Sequence, residues 1–241
     1  MTVPNRKSKL SKKDQVEEMF DNISPKYDLL NHLLSINIDK VWRKNVIKKI
    51  EKFQPQTILD VATGTADFAI AASRIRNTEI TGIDISEGML TIGRKKIQKR
   101  NLSNRIKLIK ADSENLPFDE NSFDAAIVAF GVRNFENLEN GLLEIRRVLK
   151  PGGVFFVLEF SKPEKTPFKQ VYRIYFNRIL PTVGRLISKD KNAYAYLPES
   201  VNEFPCGEKF IAILAKVGLI KNAFYPQTFG IATIYEAHKM K

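Results

Sequence analysis

Ile58-Leu-Asp-Val-Ala-Thr-Gly-Thr-Ala-Asp67, followed by Thr81-Gly-Ile-Asp-Ile85, decides the fold. An apolar strand ends on an acid, Asp60. A tight turn follows around one glycine, Gly64, and a second apolar strand ends on another acid, Asp84. Asp84 lies twenty positions after Gly64, the span of one strand–helix–strand crossover. Such a unit binds a cofactor carrying ribose and adenine where its strands end.

The alternation continues outward from that unit. The sequence predicts strands over Thr57–Ala62, Glu79–Asp84, Ile106–Lys110 and Phe123–Phe130, with helices over Ala66–Ile75, Glu87–Arg100 and Leu138–Leu149. The last helix stops before Pro151-Gly152-Gly153. Val154–Phe160 is an almost unbroken apolar run, as in a strand covered on both faces. A helix near Glu208–Val217 then precedes two strands, Leu219–Tyr225 and Ile231–His238, which read as an antiparallel pair at a sheet edge. The whole implies an α/β, doubly wound, mostly parallel sheet between helical layers.

Ahead of this core, Val16, Phe20, Ile23, Tyr27, Leu30 and Leu34 recur at helical spacing. The pattern is interrupted near Ser24-Pro25, where proline can open a second helix. Trp42, Val46, Ile47 and Ile50 predict a third. The expected organisation is a basic flexible arm at 1–13, a helical cap or lid at 14–52, and the α/β domain at 53–241 with a cap insertion over 162–200.

Of the 241 residues, 43% are hydrophobic and 27% charged, as in an ordinary globular protein. Lys and Arg (39) exceed Asp and Glu (27), giving +12, a balance that favours anionic surfaces such as nucleic acid or phospholipid headgroups. The lone Cys206 excludes an intramolecular disulfide and a Cys-rich zinc site, and no metal is expected. No apolar run reaches the ~20 residues of a membrane span, and the basic start lacks the apolar stretch of a signal peptide. The expected location is cytoplasmic.

The turn Ala62-Thr63-Gly64-Thr65 brings backbone close to a ligand, which Gly64 permits because it has no Cβ. The G-x-G-x-x-G frame is absent, which weighs against NAD or FAD. Asp60 and Asp67 place negative charge where a pyrophosphate would sit. Acids there suit a cationic sulfonium, which points to S-adenosyl-L-methionine. Asp84 is positioned to accept from both ribose hydroxyls, and Asp112-Ser113 to meet the adenine amino group. Met89 and Leu116 offer apolar walls. The expected cofactor-binding set is Asp60, Gly64, Thr65, Asp84, Met89, Asp112 and Ser113.

Residues 57–236 resemble a class I S-adenosylmethionine-dependent methyltransferase, which implies a seven-stranded Rossmann-like sheet. Three stretches resemble the ubiquinone/menaquinone C-methyltransferase family, over a region running from about residue 14 to the end. They are Tyr27-Asp-Leu-Leu-Asn-His-Leu-Leu-Ser35 with Trp42-Arg43, Phe130-Gly-Val-Arg-Asn134, and Arg147-Val-Leu-Lys-Pro-Gly-Gly-Val-Phe-Phe-Val-Leu-Glu-Phe-Ser161. Four positions depart from related proteins: alanine at Ala62 and Ala66 where glycine is common, Asp39 where some relatives carry histidine, and Ala129 in place of a serine.

The resemblance implies methylation of a ring carbon of a demethylmenaquinol, the final step of menaquinone biosynthesis. The alternatives are the quinol precursor of ubiquinone, or a methyltransferase acting on RNA or another small metabolite. A nucleic-acid-binding module with a vestigial cofactor site is a further rival, disfavoured by the intact Asp60, Gly64 and Asp84 framework; no nucleic acid partner is expected. A quinol hydroxyl ionises near pH 10, like tyrosine (about 10), and its anion makes the adjacent ring carbon nucleophilic. The expected catalytic set is Arg133 to stabilise the quinolate, Asn134 to orient a hydroxyl, Glu159 to take a proton, and Tyr27, with Asp28, to close a lid. His32 is a candidate base. For Arg133 the competing reading is an ion pair with Glu136 or Glu159. A polyprenyl tail on the acceptor implies peripheral work at an anionic membrane surface, and the aromatic and basic residues of 166–187 fit an interfacial helix as well as they fit a packed cap. Oligomeric state is not legible; a homodimer is compatible with the sequence.

Overall fold

The computed structural model describes residues 2–35, 37–174 and 191–241. Within them the apolar runs form strands β1 (Thr57–Val61), β2 (Glu79–Asp84), β3 (Ile106–Lys110), β4 (Phe123–Ala129), β5 (Leu149–Phe160), β6 (Leu219–Gln227) and β7 (Ala232–Lys239). The described helices are α1 (Lys12–Leu34), α2 (Ile38–Ile50), α3 (Asp67–Ala72), α4 (Glu87–Lys99), α5 (Leu138–Val148), α6 (Phe168–Ile174), α7 (Lys191–Glu203) and α8 (Glu208–Lys216). One sheet results, in the order β3-β2-β1-β4-β5-β7-β6. Strands β1 to β5 are parallel, and β7 is antiparallel to both β5 and β6. The doubly wound fold and the antiparallel pair at its edge match the expectation from sequence.

The unbroken apolar run of β5 has its reason in the two cores. Phe155 and Val157 point into one, with Leu59, Val61 and Leu142; Val154, Phe156 and Leu158 point into the other, with Ile58, Ile127 and Trp42. Each large side chain so buried contributes about 1.5–3 kcal/mol. The register sets Val61 beside Ile83 on one flank and Val128 on the other. Loops leaving β1, β2 and β4 therefore open together at the C-terminal edge, where the strand order reverses and such sheets form a crevice.

Several elements differ from the sequence reading. Helix α1 runs through Pro25 without a break. The Ser24 hydroxyl donates to the Asp21 carbonyl at 2.9 Å, supplying the bond that Pro25, lacking an N–H, cannot make. The Asp21 carboxylate then accepts from Ser86 Oγ and from the Gly88 backbone N–H, at 2.5 and 2.9 Å, at the start of α4. Strand β5 begins at Leu149 rather than Val154, and a register break opposite Phe123–Ala125 absorbs Pro151-Gly152-Gly153. Helix α3 starts after Ala66, whose left-handed backbone (φ 65°) keeps it out of the helix. Helix α2 is no lid: Trp42, Val46, Ile47 and Ile50 belong to a main core.

Of the basic flexible arm expected over 1–13, Thr2 and Arg6 contact α7, and Lys12 and Lys13 already belong to α1. The Thr2 backbone N–H donates to Glu203 at 2.8 Å, and Arg6 pairs with Glu199 at 3.2 Å. Helix α7 (Lys191–Glu203), which sequence periodicity missed, begins inside the cap insertion expected over 162–200 and runs past its end. Of the segment 166–187, α6 covers Phe168–Ile174; Tyr175, Phe176, Arg178, Ile179, Val183 and Arg185 lie outside the described residues. So do the side chains of Leu30, His32, Leu34 and Arg173.

Candidate active site

The loop after β1 alternates into the left-handed region three times, at Ala62 (φ 53°), Gly64 (φ 57°) and Ala66 (φ 65°). The two alanines adopt the backbone that glycine would take more easily, at about 1–2 kcal/mol each. The Gly64 N–H donates to Asp84 Oδ2 at 2.8 Å, and the Ser86 N–H to Asp84 Oδ1 at 2.9 Å. The acid ending β2 is thus clamped by backbone from two loops. Gly131 is required by close approach, because a Cβ there would lie 2.6 Å from that of Ala62.

At Gly64 a Cβ would meet nothing nearer than Tyr27 Cε1 at 3.9 Å, across the cavity that both residues line. Gly64→Ala is therefore expected to cost only about 1 kcal/mol of stability, from the backbone conformation, yet to weaken ligand binding tenfold or more. Thermal melting and calorimetric titration with S-adenosylhomocysteine separate the two effects.

The cavity is lined by Gly64, Asp84, Met89, Asp112, Ser113, Tyr27 and Asn134 from the expected set, together with Ala62, Ala129 and Phe130. Four expected residues do not line it. Asp60 is buried beneath the loop, where Thr63 Oγ1 donates to its Oδ2 at 2.6 Å and its Oδ1 has no partner among the described residues. Thr65 donates to Asp28 and accepts from Lys96 at 3.1 Å. Lys96 also pairs with Asp67 and, at 2.9 Å, with Asp28. The negative charge expected of Asp67 at the ligand is neutralised there, and Leu116 sits in the core rather than on the wall. Arg133 lines a neighbouring cavity with Thr2, Lys12 and Glu203, and Glu159 is fully buried.

Burial pushes the Asp60 and Asp84 carboxyls up, to about 7 and about 6 from 3.8. Folding therefore favours their protonated forms. That contribution is complete below about pH 4 and is lost as pH rises through 6 and 7, on the order of 4 kcal/mol for Asp60 and 3 kcal/mol for Asp84. The urea midpoint should fall between pH 5 and pH 8, and Asp60→Asn should flatten the upper part of that fall. An unchanged slope in Asp60→Asn would assign the titration elsewhere.

Helix α1 straps this edge of the sheet. Lys13 pairs with Asp112 at 2.9 Å, Glu17 with Lys110 at 2.7 Å, and Asp21 and Asp28 make the contacts already given. The steps 13, 17, 21 and 28 keep these residues on one helical face. Lys13 lines the cavity beside Asp112, a role that its place in a basic run concealed.

At the other end of the cavity, Phe130 adopts φ 58°, a left-handed backbone rare for a bulky residue and typical of functional sites. Its carbonyl accepts from Arg133, and its ring packs on Phe160 at 4.4 Å. Arg133 donates to Glu159 Oε1 at 2.8 Å. Glu159 is fully buried, and burial pushes its carboxyl up despite the guanidinium. Arg133 Nε and Glu159 Oε2 are buried without partners among the described residues. Asn134 accepts from the Tyr196 hydroxyl at 3.1 Å, and burial pushes that hydroxyl up to about 12. Tyr196 and Tyr172 join Phe20, Tyr27 and Phe160 in a small apolar cluster between α1, α6 and α7. No spacing in the sequence marked Tyr196.

A profile described as the ubiE/COQ5 methyltransferase family matches residues 8–239. The chain belongs to that family. Its relatives include the demethylmenaquinone methyltransferase of Bacteroides fragilis, 48% identical over 95% of this chain and 94% of that protein. The ubiquinone/menaquinone biosynthesis C-methyltransferase UbiE of Geobacter sulfurreducens is 45% identical over 95% and 90%. Among solved structures, an S-adenosylmethionine-dependent methyltransferase from Thermotoga maritima superposes with a TM-score of 0.65, covering 92% of this methyltransferase and 99% of its own chain. At 18% identity that likeness carries the class I fold alone.

Proposed function

We propose that this methyltransferase transfers a methyl group from S-adenosylmethionine to a ring carbon of a demethylmenaquinol. The observation that carries the acceptor assignment is the buried Arg133–Glu159 pair, which keeps one donor, Nε, and one acceptor, Oε2, unused among the described residues. Neither atom lines the cavity, so a quinol hydroxyl, which both donates and accepts, satisfies them only where the side chains between shift on binding. The names carried by the relatives support menaquinol over the ubiquinone precursor.

The residues lining the cavity fit the cofactor. Gly64 leaves open the space a Cβ would take, and Asp84 spends one lone-pair direction of each oxygen on backbone N–H groups. Its remaining lone pairs would hold ribose hydroxyls. Met89 would wall the purine, and Asp112 and Ser113 would meet its amino group; Asp60 and Thr65 hold the loop through Thr63 and Asp28. Bound S-adenosylmethionine supplies an electrophilic methyl group on a positively charged sulfur. Glu159, its proton affinity raised by burial, takes the proton of the quinol hydroxyl. Arg133 stabilises the resulting oxyanion, Asn134 orients the hydroxyl, and Tyr27 covers the site from α1. The ring carbon that gains the methyl group then loses its own proton to water and Glu159 returns its proton to the oxygen, so the aromatic quinol is restored and one proton is released in all. The tail of a polyprenylated acceptor stays in the bilayer, so the enzyme works at the membrane surface; no described helix is long and apolar enough to cross it.

The test is transfer from labelled cofactor to chemically reduced demethylmenaquinone, with the oxidised quinone, the demethylated ubiquinone precursor and bulk RNA alongside. Label should enter the reduced naphthoquinol and not the oxidised form. Label in RNA, or equal labelling of oxidised and reduced quinone, would remove the assignment.

A further inference from the structure

The turn between β6 and β7 presents Phe229 to solvent, 66% exposed and at φ 57°, after Thr228 at φ 43°. A bulky residue gains nothing from that backbone, and a ring so exposed gains little from folding. Folding alone favours glycine or asparagine at such a position. Phe229 stacks on Phe168, at the start of α6, with ring centroids 3.7 Å apart and planes within 6°. Two hydrogen bonds fix the turn to α2: Trp42 Nε1 to Thr228 Oγ1 at 2.8 Å and Asn45 Nδ2 to Gln227 Oε1 at 2.9 Å.

These contacts set α2, the turn and α6 side by side. Val41 (55% exposed) and Ile174 (53% exposed) add apolar surface to the two helices. Lys40, Lys44 and Lys48 are exposed on α2, and Lys165 and Lys169 flank Phe168. Over Ile38–Ile50 and 164–174 the only exposed acid among the described residues is Glu164, since Asp39 is buried against Arg43. Trp42 also begins an aromatic row running inward. It lies 6.3 Å from Phe160 and 6.2 Å from Phe130, and Phe130 lines the cavity.

We propose that this face, with the Phe229–Phe168 pair at its centre and lysines on both sides, docks on an anionic phospholipid surface. The assignment rests on the polyprenylated acceptor proposed above. Phe229 enters the headgroup–acyl boundary, and the lysines engage lipid phosphates. The lysines on both sides of an exposed apolar pair select an anionic lipid surface as the occupant.

The experiment is sedimentation of the full chain with vesicles of phosphatidylcholine alone, or mixed with phosphatidylglycerol. The unaltered chain should bind the mixed vesicles selectively and release them at high salt. Phe229→Ala should weaken that binding about tenfold, and Lys40→Gln with Lys44→Gln about 25-fold. Thermal melting should show both variants folded. Both should methylate a tail-less quinol in solution at the unaltered rate and a long-chain quinol in vesicles more slowly. Equal binding to neutral and anionic vesicles, or unaltered vesicle binding by Phe229→Ala, overturns the docking face. Vesicle binding that follows the expected order while neither quinol is methylated upholds the face and removes the acceptor assignment.

Discussion

Arg133→Met is expected to lower stability by about 3–5 kcal/mol and to reduce methyl transfer at least a hundredfold. Glu159 is fully buried, and its Oε1 is held by Arg133 and by the Phe160 N–H at 2.8 Å each. Without the guanidinium the carboxylate is a buried charge with no counter-ion. Protonation relieves part of that cost, in the direction burial already drives it. Replacing both partners, Arg133→Met with Glu159→Leu, removes the uncompensated charge, so most of the stability should return. Activity should not, because the donor and acceptor for the quinol hydroxyl are both gone. Urea denaturation and labelled-methyl transfer read the two outcomes separately. A double variant that regains activity with its stability would show that the pair only holds the loop.

The second large effect falls at the cofactor end. Asp84→Asn is expected to weaken S-adenosylhomocysteine binding about a hundredfold at pH 8, the loss of two charge-assisted contacts at roughly 1.5 kcal/mol or more each. An amide presents one oxygen and one NH2 group, whereas Gly64 N–H and Ser86 N–H each need an acceptor. One of them must face a donor. Burial raises the Asp84 carboxyl to about 6, so at pH 5 the unaltered protein is itself mostly protonated and the difference should shrink. Calorimetric titration at the two pH values tests this. A ratio of affinities that does not change with pH would separate Asp84 ionisation from ligand binding.

The fold was legible because its information is local. An apolar run ending on an acid marks β1 and β2, and Val154–Phe160 reads as doubly covered because both faces are in fact cored. Gly64, Asp84, Met89, Asp112 and Ser113 could be named together because each follows the end of a strand, and parallel strands in register bring their ends together. What stayed hidden depends on partners distant in sequence. Sequence left Glu136 and Glu159 as alternatives for Arg133. The parallel register, setting Ala129 beside Leu158, selects Glu159, while Glu136 accepts from the Lys12 backbone instead. Asp67 looked like charge at a ligand because Lys96, 29 residues on, cannot be paired with it by inspection. Pro25 looked like a helix start because the compensating bond comes from a side chain, that of Ser24. Tyr196 was missed because its α7 helix, with Pro198 inside it, carries no clear pattern.

The Asp21 carboxylate has a consequence for watching the strap move. It accepts from the Gly88 N–H, one of the first-turn amides that a helix leaves without an internal partner. A Cβ at that position would lie 2.9 Å from Ser24 Oγ and 3.0 Å from Asp21 Oδ1, so only glycine lets α1 come this close. The Gly88 amide proton is therefore shielded when α1 is seated and open to water when it lifts. Its hydrogen-exchange rate reports, at one backbone position and without any label on the ligand, how firmly α1 is seated on α4.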